Sequence, residues 1–238
     1  NLFRRRGEYD RAVRVHEHLL SRGDLGRVDR ERAQHALALD FLKAGLLDRA
    51  EQALQRLEGT PFEAEARLAL LAIYERSSDW SLAAAIADKM DRAAQGDFST
   101  RQAHYLCEQA ATLLGKGQTE EARSLLQRAI ATAPHAARAR IDLAAMQQAS
   151  GDHAAAFSTL RTMGEVTPAA LPLAAARLAQ AASSSQQPQA ALDLLTSSYA
   201  TSPSLDVLEA IVALTASGTG DNEQARTWYV QHLEREPS

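Results

Sequence analysis

An alanine returns along this chain at a nearly constant interval, and that recurrence limits the fold more than any other feature. Ala12, Ala50, Ala83, Ala122, Ala156, Ala191 and Ala225 are separated by 38, 33, 39, 34, 35 and 34 residues. Five positions before each anchor stand Gly7, Gly45, Ser78, Gly117, Gly151, Gln186 and Gly220. Most of these are glycine, the residue that a turn with positive φ favours. Twelve positions after the later anchors stand Pro134, Pro168, Pro203 and Pro237, where a helix must stop because proline lacks the N–H and crowds the turn before it.

The stretch from Ser99 to Pro134 shows one period at its clearest. Two helical segments meet at Gly117, with small residues at Ala110, Ala122 and Ala129, large apolar ones at Leu113 and Leu126, and a closing proline. This is the pattern of a tetratricopeptide (TPR) repeat, a helix-turn-helix unit of about 34 residues. The chain is therefore predicted to be all-α, a right-handed superhelical solenoid of about six full repeats plus a truncated first one. The expected domain is a single solenoid over 1–238, divided into 1–26, 27–62, 63–98, 99–134, 135–168, 169–203 and 204–238.

Packing explains the alanines. Helices at closest approach need small side chains, and added bulk at such a crossing costs about 1 to 3 kcal/mol. Leu37, Phe41, Leu54, Leu70, Tyr74, Leu113, Leu126, Leu143, Leu160, Leu178 and Leu195 are expected to fill the next layer as one continuous core, each repeat burying its face against its neighbours. A longer loop is expected over Gln95–Thr100, and Ser183–Pro188 reads as a polar, mobile turn. Glu8, Asp79, Asp152 and Asp221 fall in the first turn of second helices, where they oppose the positive end of the macrodipole.

Composition excludes several classes of function. A net charge of −4 over 238 residues argues against nucleic acid as a partner, because phosphate neutralisation needs a concentrated basic surface. Residues 1–32 run against this trend, with nine arginines against six acids, read either as a solvated helix face or as a binding patch. The single cysteine, Cys107, rules out an intrachain disulfide and suggests a reducing compartment. No apolar run reaches the roughly 18 residues of a membrane span, so the chain is expected to be soluble. It opens at Asn1 in mid-helix, which leads to the expectation that further sequence precedes it.

No motif of catalysis or metal binding stands complete in the sequence. Gly115, Lys116, Gly117 and Thr119 lack the spacing of a phosphate loop and read as a repeat turn. His104 and Cys107 lie three apart on one helix, but a zinc site needs about four ligands and no second pair stands at ligand spacing. Cys107 reads as a small buried hydrophobe. His16 and His18 point to different faces. No acid–base pair or Ser, His and Asp set converges, so no enzymatic activity, metal or cofactor is expected within this chain.

A TPR solenoid usually works through the surface lined by the first helix of each repeat. By repeat register, the partner-binding groove candidates are Asn1, Arg4, Arg32, His35, Leu39, Leu42, His104 and Arg138. The same register adds Glu65, Leu68, Cys107, Leu114, Ile141 and Gln148. The N-terminal half of this surface is basic with apolar patches, so an acidic, partly apolar peptide is the expected ligand. Ala36 occupies a slot where a clamp for chaperone-tail carboxylates would need asparagine, which argues against such tails.

Beyond the generic repeat, NLFRRRGEYDRAVRVHEHLL, DFLKAGLLDRAEQAL, AIYERSSDWSLAAAIA and AHYLCEQA resemble the repeats of the lipopolysaccharide assembly protein B family. The likeness is dense over residues 1 to about 135. It thins afterwards to the repeat register and the closing TWYVQHLEREP. The resemblance implies a bacterial inner-membrane protein with an N-terminal membrane helix, a TPR body on the cytoplasmic face and a C-terminal rubredoxin-like metal domain carrying paired CxxC motifs. Neither the anchor nor those cysteines lies in this sequence, so no metal ligand is carried over to any residue here. The family acts as an adaptor that restrains lipopolysaccharide synthesis by promoting degradation of the lipid A pathway deacetylase by a membrane-bound ATP-dependent protease. By the same resemblance the expected partners are that protease, the deacetylase and lipopolysaccharide assembly proteins. Two other readings stay open: the substrate-recruiting TPR arm of an enzyme such as a glycosyltransferase, and a structural protein that oligomerises through its ends.

Overall fold

In the computed structural model the backbone is described over residues 2–93, 97–219 and 222–235. Every regular element among these residues is helical. The chain runs through α1 (Leu2–Arg5), α2 (Tyr9–Leu20), α3 (Arg27–Ala44), α4 (Leu47–Gln55), α5 (Glu63–Ser77), α6 (Trp80–Arg92), α7 (Ser99–Gly115) and α8 (Thr119–Thr132). It continues through α9 (Ala137–Ala149), α10 (His153–Val166), a 3-10 helix (Pro168–Ala174), α11 (Ala175–Ser184), α12 (Pro188–Thr201), α13 (Leu205–Thr219) and α14 (Asn222–Arg235). The fold is thus an all-α stack of TPR hairpins, divided into two compact units, Asn1–Tyr105 and Leu106–Ser238.

One turn geometry joins the two helices of each described hairpin. Gly7, Gly45, Gly117 and Gly151 all have φ between 76° and 82°. Ser78 and Gln186, the two described turn positions that are not glycine, adopt 58° and 59°. In each case the next residue donates its backbone N–H to the carbonyl four residues before the turn, as from Leu46 to Phe41, Asp79 to Tyr74, Asp152 to Gln147 and Gln187 to Ala182. This six-to-one bond satisfies a carbonyl left orphaned by the helix end. The Ser183–Pro188 segment, expected to be a mobile linker, closes with this same bond at 2.8 Å. Gly220 and Asp221 lie outside the described residues.

Asp79 and Asp152 sit one step before the position expected of them, at the N-cap rather than in the first turn. There each carboxylate accepts from a backbone N–H, of Leu82 and of Ala155 respectively. Glu8 occupies the equivalent N-cap without a capping bond. The longer loop expected over Gln95–Thr100 falls partly on residues 94–96, outside the described set. α7 begins at Ser99, and Asp91 and Asp97 hold the loop by accepting from the N–H groups of Phe98 and Ser99.

The first helix of the sixth hairpin departs from the repeat pattern. It opens with the 3-10 segment, because Pro172 lies inside it and cannot donate to an α-helical bond. Only the ten residues of α11 are α-helical.

Burial follows the anchors. Ala12, Ala50, Ala83, Ala122, Ala156 and Ala191 are all buried. The side chain of Ala225 lies outside the described set. Nine of the expected core positions are buried, whereas Leu37 and Leu113 are only half-buried. Within each unit the buried side chains of the described residues gather into a cluster. One, around Phe41, Leu54, Leu71 and Met90, belongs to the first unit, and one, around Phe157, Leu160, Leu178 and Leu195, to the second.

Candidate functional site

A concavity on the first-helix side of the second unit lies between α7 and α9, with α8 behind it. It is a cleft of about 600 Å3 whose lining includes Cys107, Ala111, Leu114, Arg138, Asp142 and Met146. The two helices supply it through helical spacing. Cys107, Ala111 and Leu114 share one face of α7, and Arg138, Asp142 and Met146 recur every fourth residue along α9.

Its electrostatics centre on Arg138. The guanidinium lies 2.8 Å from Glu108 Oε1 and 3.4 Å from Asp142 Oδ2, bridging α7 to α9. Burial pushes the Asp142 carboxyl above its ordinary range, and Arg138 partly restrains the shift. Burial, with the Asp142 charge added, pushes the Cys107 thiol up to about 11. The floor is thus apolar with a protonated thiol, a surface suited to contact rather than to nucleophilic chemistry. Among the described residues no three His, Cys, Asp or Glu side chains converge as a metal would require. No helix among them is long and apolar enough to cross a membrane.

The groove candidates named from the sequence have different fates. Arg138, Cys107 and Leu114 come together in this cleft. Ile141 is half-buried beside the second-unit core, and Gln148 is bonded to the Arg177 guanidinium and carbonyl. In the first unit Arg4 is committed to structure: its Nε lies 2.6 Å from Asp40 Oδ1, and its terminal nitrogen donates to the Ala36 carbonyl. His35 stacks on Phe62 and lies 3.2 Å from Glu65. Leu39 and Leu42 are half-buried, Leu42 against the first-unit core. Arg32 is exposed, 3.7 Å from Asp29 on its own helix. Leu68 is half exposed. His104 is exposed and edge-on to Trp80. Asn1 lies outside the described residues.

Sequence reasoning missed Asp142, Glu108 and Met146. The signal was present for two of them, since Asp142 and Met146 stand four and eight residues after Arg138 and so share its face of α9. Their pairing also changes the charge of the groove. Arg138 reads as a cation in the sequence but is held between two carboxylates in the structure, so this cleft is not basic.

Comparison with known proteins agrees with the repeat architecture. Tetratricopeptide repeat families match residues 113–181 and 1–31. The chain is 33% identical over 162 residues to lipopolysaccharide assembly protein B of Escherichia coli strain K12, covering 68% of this chain and 42% of that protein. It is 34% identical over 169 residues to the protein of the same name from Haemophilus influenzae, covering 71% of this chain and again 42% of the relative. The chain therefore spans well under half the length of these relatives. A solved structure of Pseudomonas aeruginosa pilF is similar with a TM-score of 0.45 and 20% identity, over 90% of this chain and 95% of that one.

Proposed function

We propose that this chain, a tetratricopeptide-repeat protein related to lipopolysaccharide assembly protein B, is a non-catalytic scaffold that holds other proteins against the first-helix faces of its repeats. In this reading it is the TPR body of an adaptor that limits lipopolysaccharide synthesis by bringing the lipid A pathway deacetylase to a membrane-bound ATP-dependent protease, at the cytoplasmic face of the inner membrane. The observation that carries it is the 33% identity over 162 residues to a protein of lipopolysaccharide assembly. The α7–α9 cleft supports it physically. An apolar floor beneath a polar bridge suits the side chains of a docked segment, because apolar burial supplies affinity while the rim orients it.

Membrane attachment in this reading belongs to sequence outside the chain, as does any metal domain. The test is affinity capture of the full-length protein from cells, followed by detection of the protease and the deacetylase. Co-purification of both, weakened by Arg138→Ala and Arg32→Ala, is the expected result. Capture of neither would sink the adaptor role.

A further inference from the structure

A second cleft in the C-terminal unit has a different charge. It lies between the 3-10 helix with α11 on one side and α13 on the other, and its volume is about 600 Å3. Its floor is made of small apolar side chains, among them Ala176, Ala179 and Ala210, with Leu214 at its end. Leu173 stands on its edge at 77% exposure, the highest of any large apolar side chain among the described residues.

The polar side chains that line it have no partners among the described residues. Asp206 and Glu209 are three apart on α13 and therefore share the face turned to the cleft, while Val207, Leu208 and Ile211 of the same helix are buried in the core. Both carboxylates are exposed, and neither forms an ion pair with a described residue. On the opposite wall the side chains of Gln180, Ser183 and Ser184 also lack a hydrogen bond within the described chain. Among the described residues no lysine, arginine or histidine lines the cleft. The only basic side chain of α11, Arg177, turns instead to Gln148, 2.9 Å away on α9.

This is the reverse of the α7–α9 cleft, where Arg138 already meets both carboxylates. We infer that the α11–α13 cleft docks a cationic amphipathic segment of a partner protein, placing an apolar side chain on the alanine floor and lysine or arginine against Asp206 and Glu209. The charge selects the class of partner. Two uncompensated carboxylates repel nucleic acid and anionic lipid, and a chain of net charge −4 steers cations toward itself. Gln180, Ser183 and Ser184 supply the donors and acceptors that an incoming backbone needs. The inference rests on the scaffold reading but names a separate cleft, so it is tested without the cellular partners.

The test is fluorescence anisotropy of the full chain with a dye-labelled amphipathic peptide of leucine and lysine, beside the same peptide with glutamate for lysine. Saturable binding of the lysine peptide alone is expected. Affinity should fall about five- to tenfold in Asp206→Asn/Glu209→Gln, as expected for two exposed ion pairs. It should be lost in Ala176→Trp, which fills the cleft from an exposed position, and kept in Arg161→Ala on α10. Because Asp206 also lies in the first turn of α13, where it supports the helix, Glu209→Gln is measured alone as well and should weaken binding severalfold. Equal binding of the glutamate peptide, no saturable binding, or unchanged affinity in Ala176→Trp overturns the proposal. So does self-association of the unlabelled protein that Ala176→Trp abolishes, since the occupant would then be a second copy.

Discussion

The Arg4 guanidinium reaches across 36 residues of sequence to the buried carboxylate of Asp40, Nε lying 2.6 Å from Oδ1. The other carboxylate oxygen meets His16 Nδ1 at 2.5 Å. Asp40 has no exposed surface, and these two partners from α1 and α2 tie the first, short hairpin to α3. Removing one member of a buried pair leaves its partner uncompensated, which costs about 3 to 5 kcal/mol. Arg4→Met is therefore expected to lower the urea midpoint of the first unit markedly. Arg32→Ala, an exposed position on α3, should leave it nearly unchanged.

Ser78 and Gln186 hold backbone conformations that L-residues avoid, because the repeat turn imposes positive φ whatever residue is present. Ser78→Gly and Gln186→Gly should each stabilise the protein, by up to about 1 kcal/mol after the added freedom of the unfolded chain is counted. The reciprocal change, Gly151→Ala, should cost about 1 kcal/mol. An added Cβ at Gly151 meets no neighbour within 4 Å, so that cost is conformational and not steric. Thermal denaturation of the three variants measures the effect.

Cys107 should resist thiol reagents at neutral pH, reacting far more slowly in the native protein than in urea. Burial raises its thiol from the ordinary 9.0 to about 11, so the folded state keeps a proton that the unfolded chain releases first. The stabilisation is complete below about pH 9 and is lost as pH rises from 9 towards 11. Cys107→Ala should remove that part of the alkaline decline, read from denaturant midpoints across the range.

Ala156 is fully buried in the second-unit core with Phe157 and Leu160. Ala156→Leu forces bulk into a close helix crossing and should destabilise by about 1 to 3 kcal/mol. Ala111→Leu, on the exposed lip of the α7–α9 cleft, should cost much less. Equal losses in the two variants would show that the recurring alanines do not mark the crossings.

The repeat was legible because its determinants are local. Helical periodicity, the need for positive φ five residues before each anchor and the exclusion of bulk at the crossings all act within one hairpin. Each leaves a mark at a regular interval. The same rules located Ser78 and Gln186 as turn residues although neither is glycine. Pro172 was also in plain view, but its effect depends on where the sixth hairpin starts its helix, and the register alone treated that helix as regular.

The candidate site was only partly legible. Repeat register picked out Cys107, Leu114 and Arg138, which line one cleft, but it could not tell a groove cation from a structural one. Arg4 and Arg138 look alike as sequence. One is tied to a buried aspartate, and the other spans two carboxylates at a cleft mouth.

By itself the sequence determined the class of fold, the positions of the turns and the alanine layer, because short-range backbone and packing rules set those. Tertiary structure alone decided which charges are neutralised across hairpins: Asp40 by Arg4 and His16, Glu108 by Arg138, and Asp206 and Glu209 by no described side chain. The ion pairs to Asp40 and Glu108 join residues 24 to 36 positions apart in the chain. They exist only after neighbouring hairpins have stacked, and helical spacing within one hairpin carries no record of them.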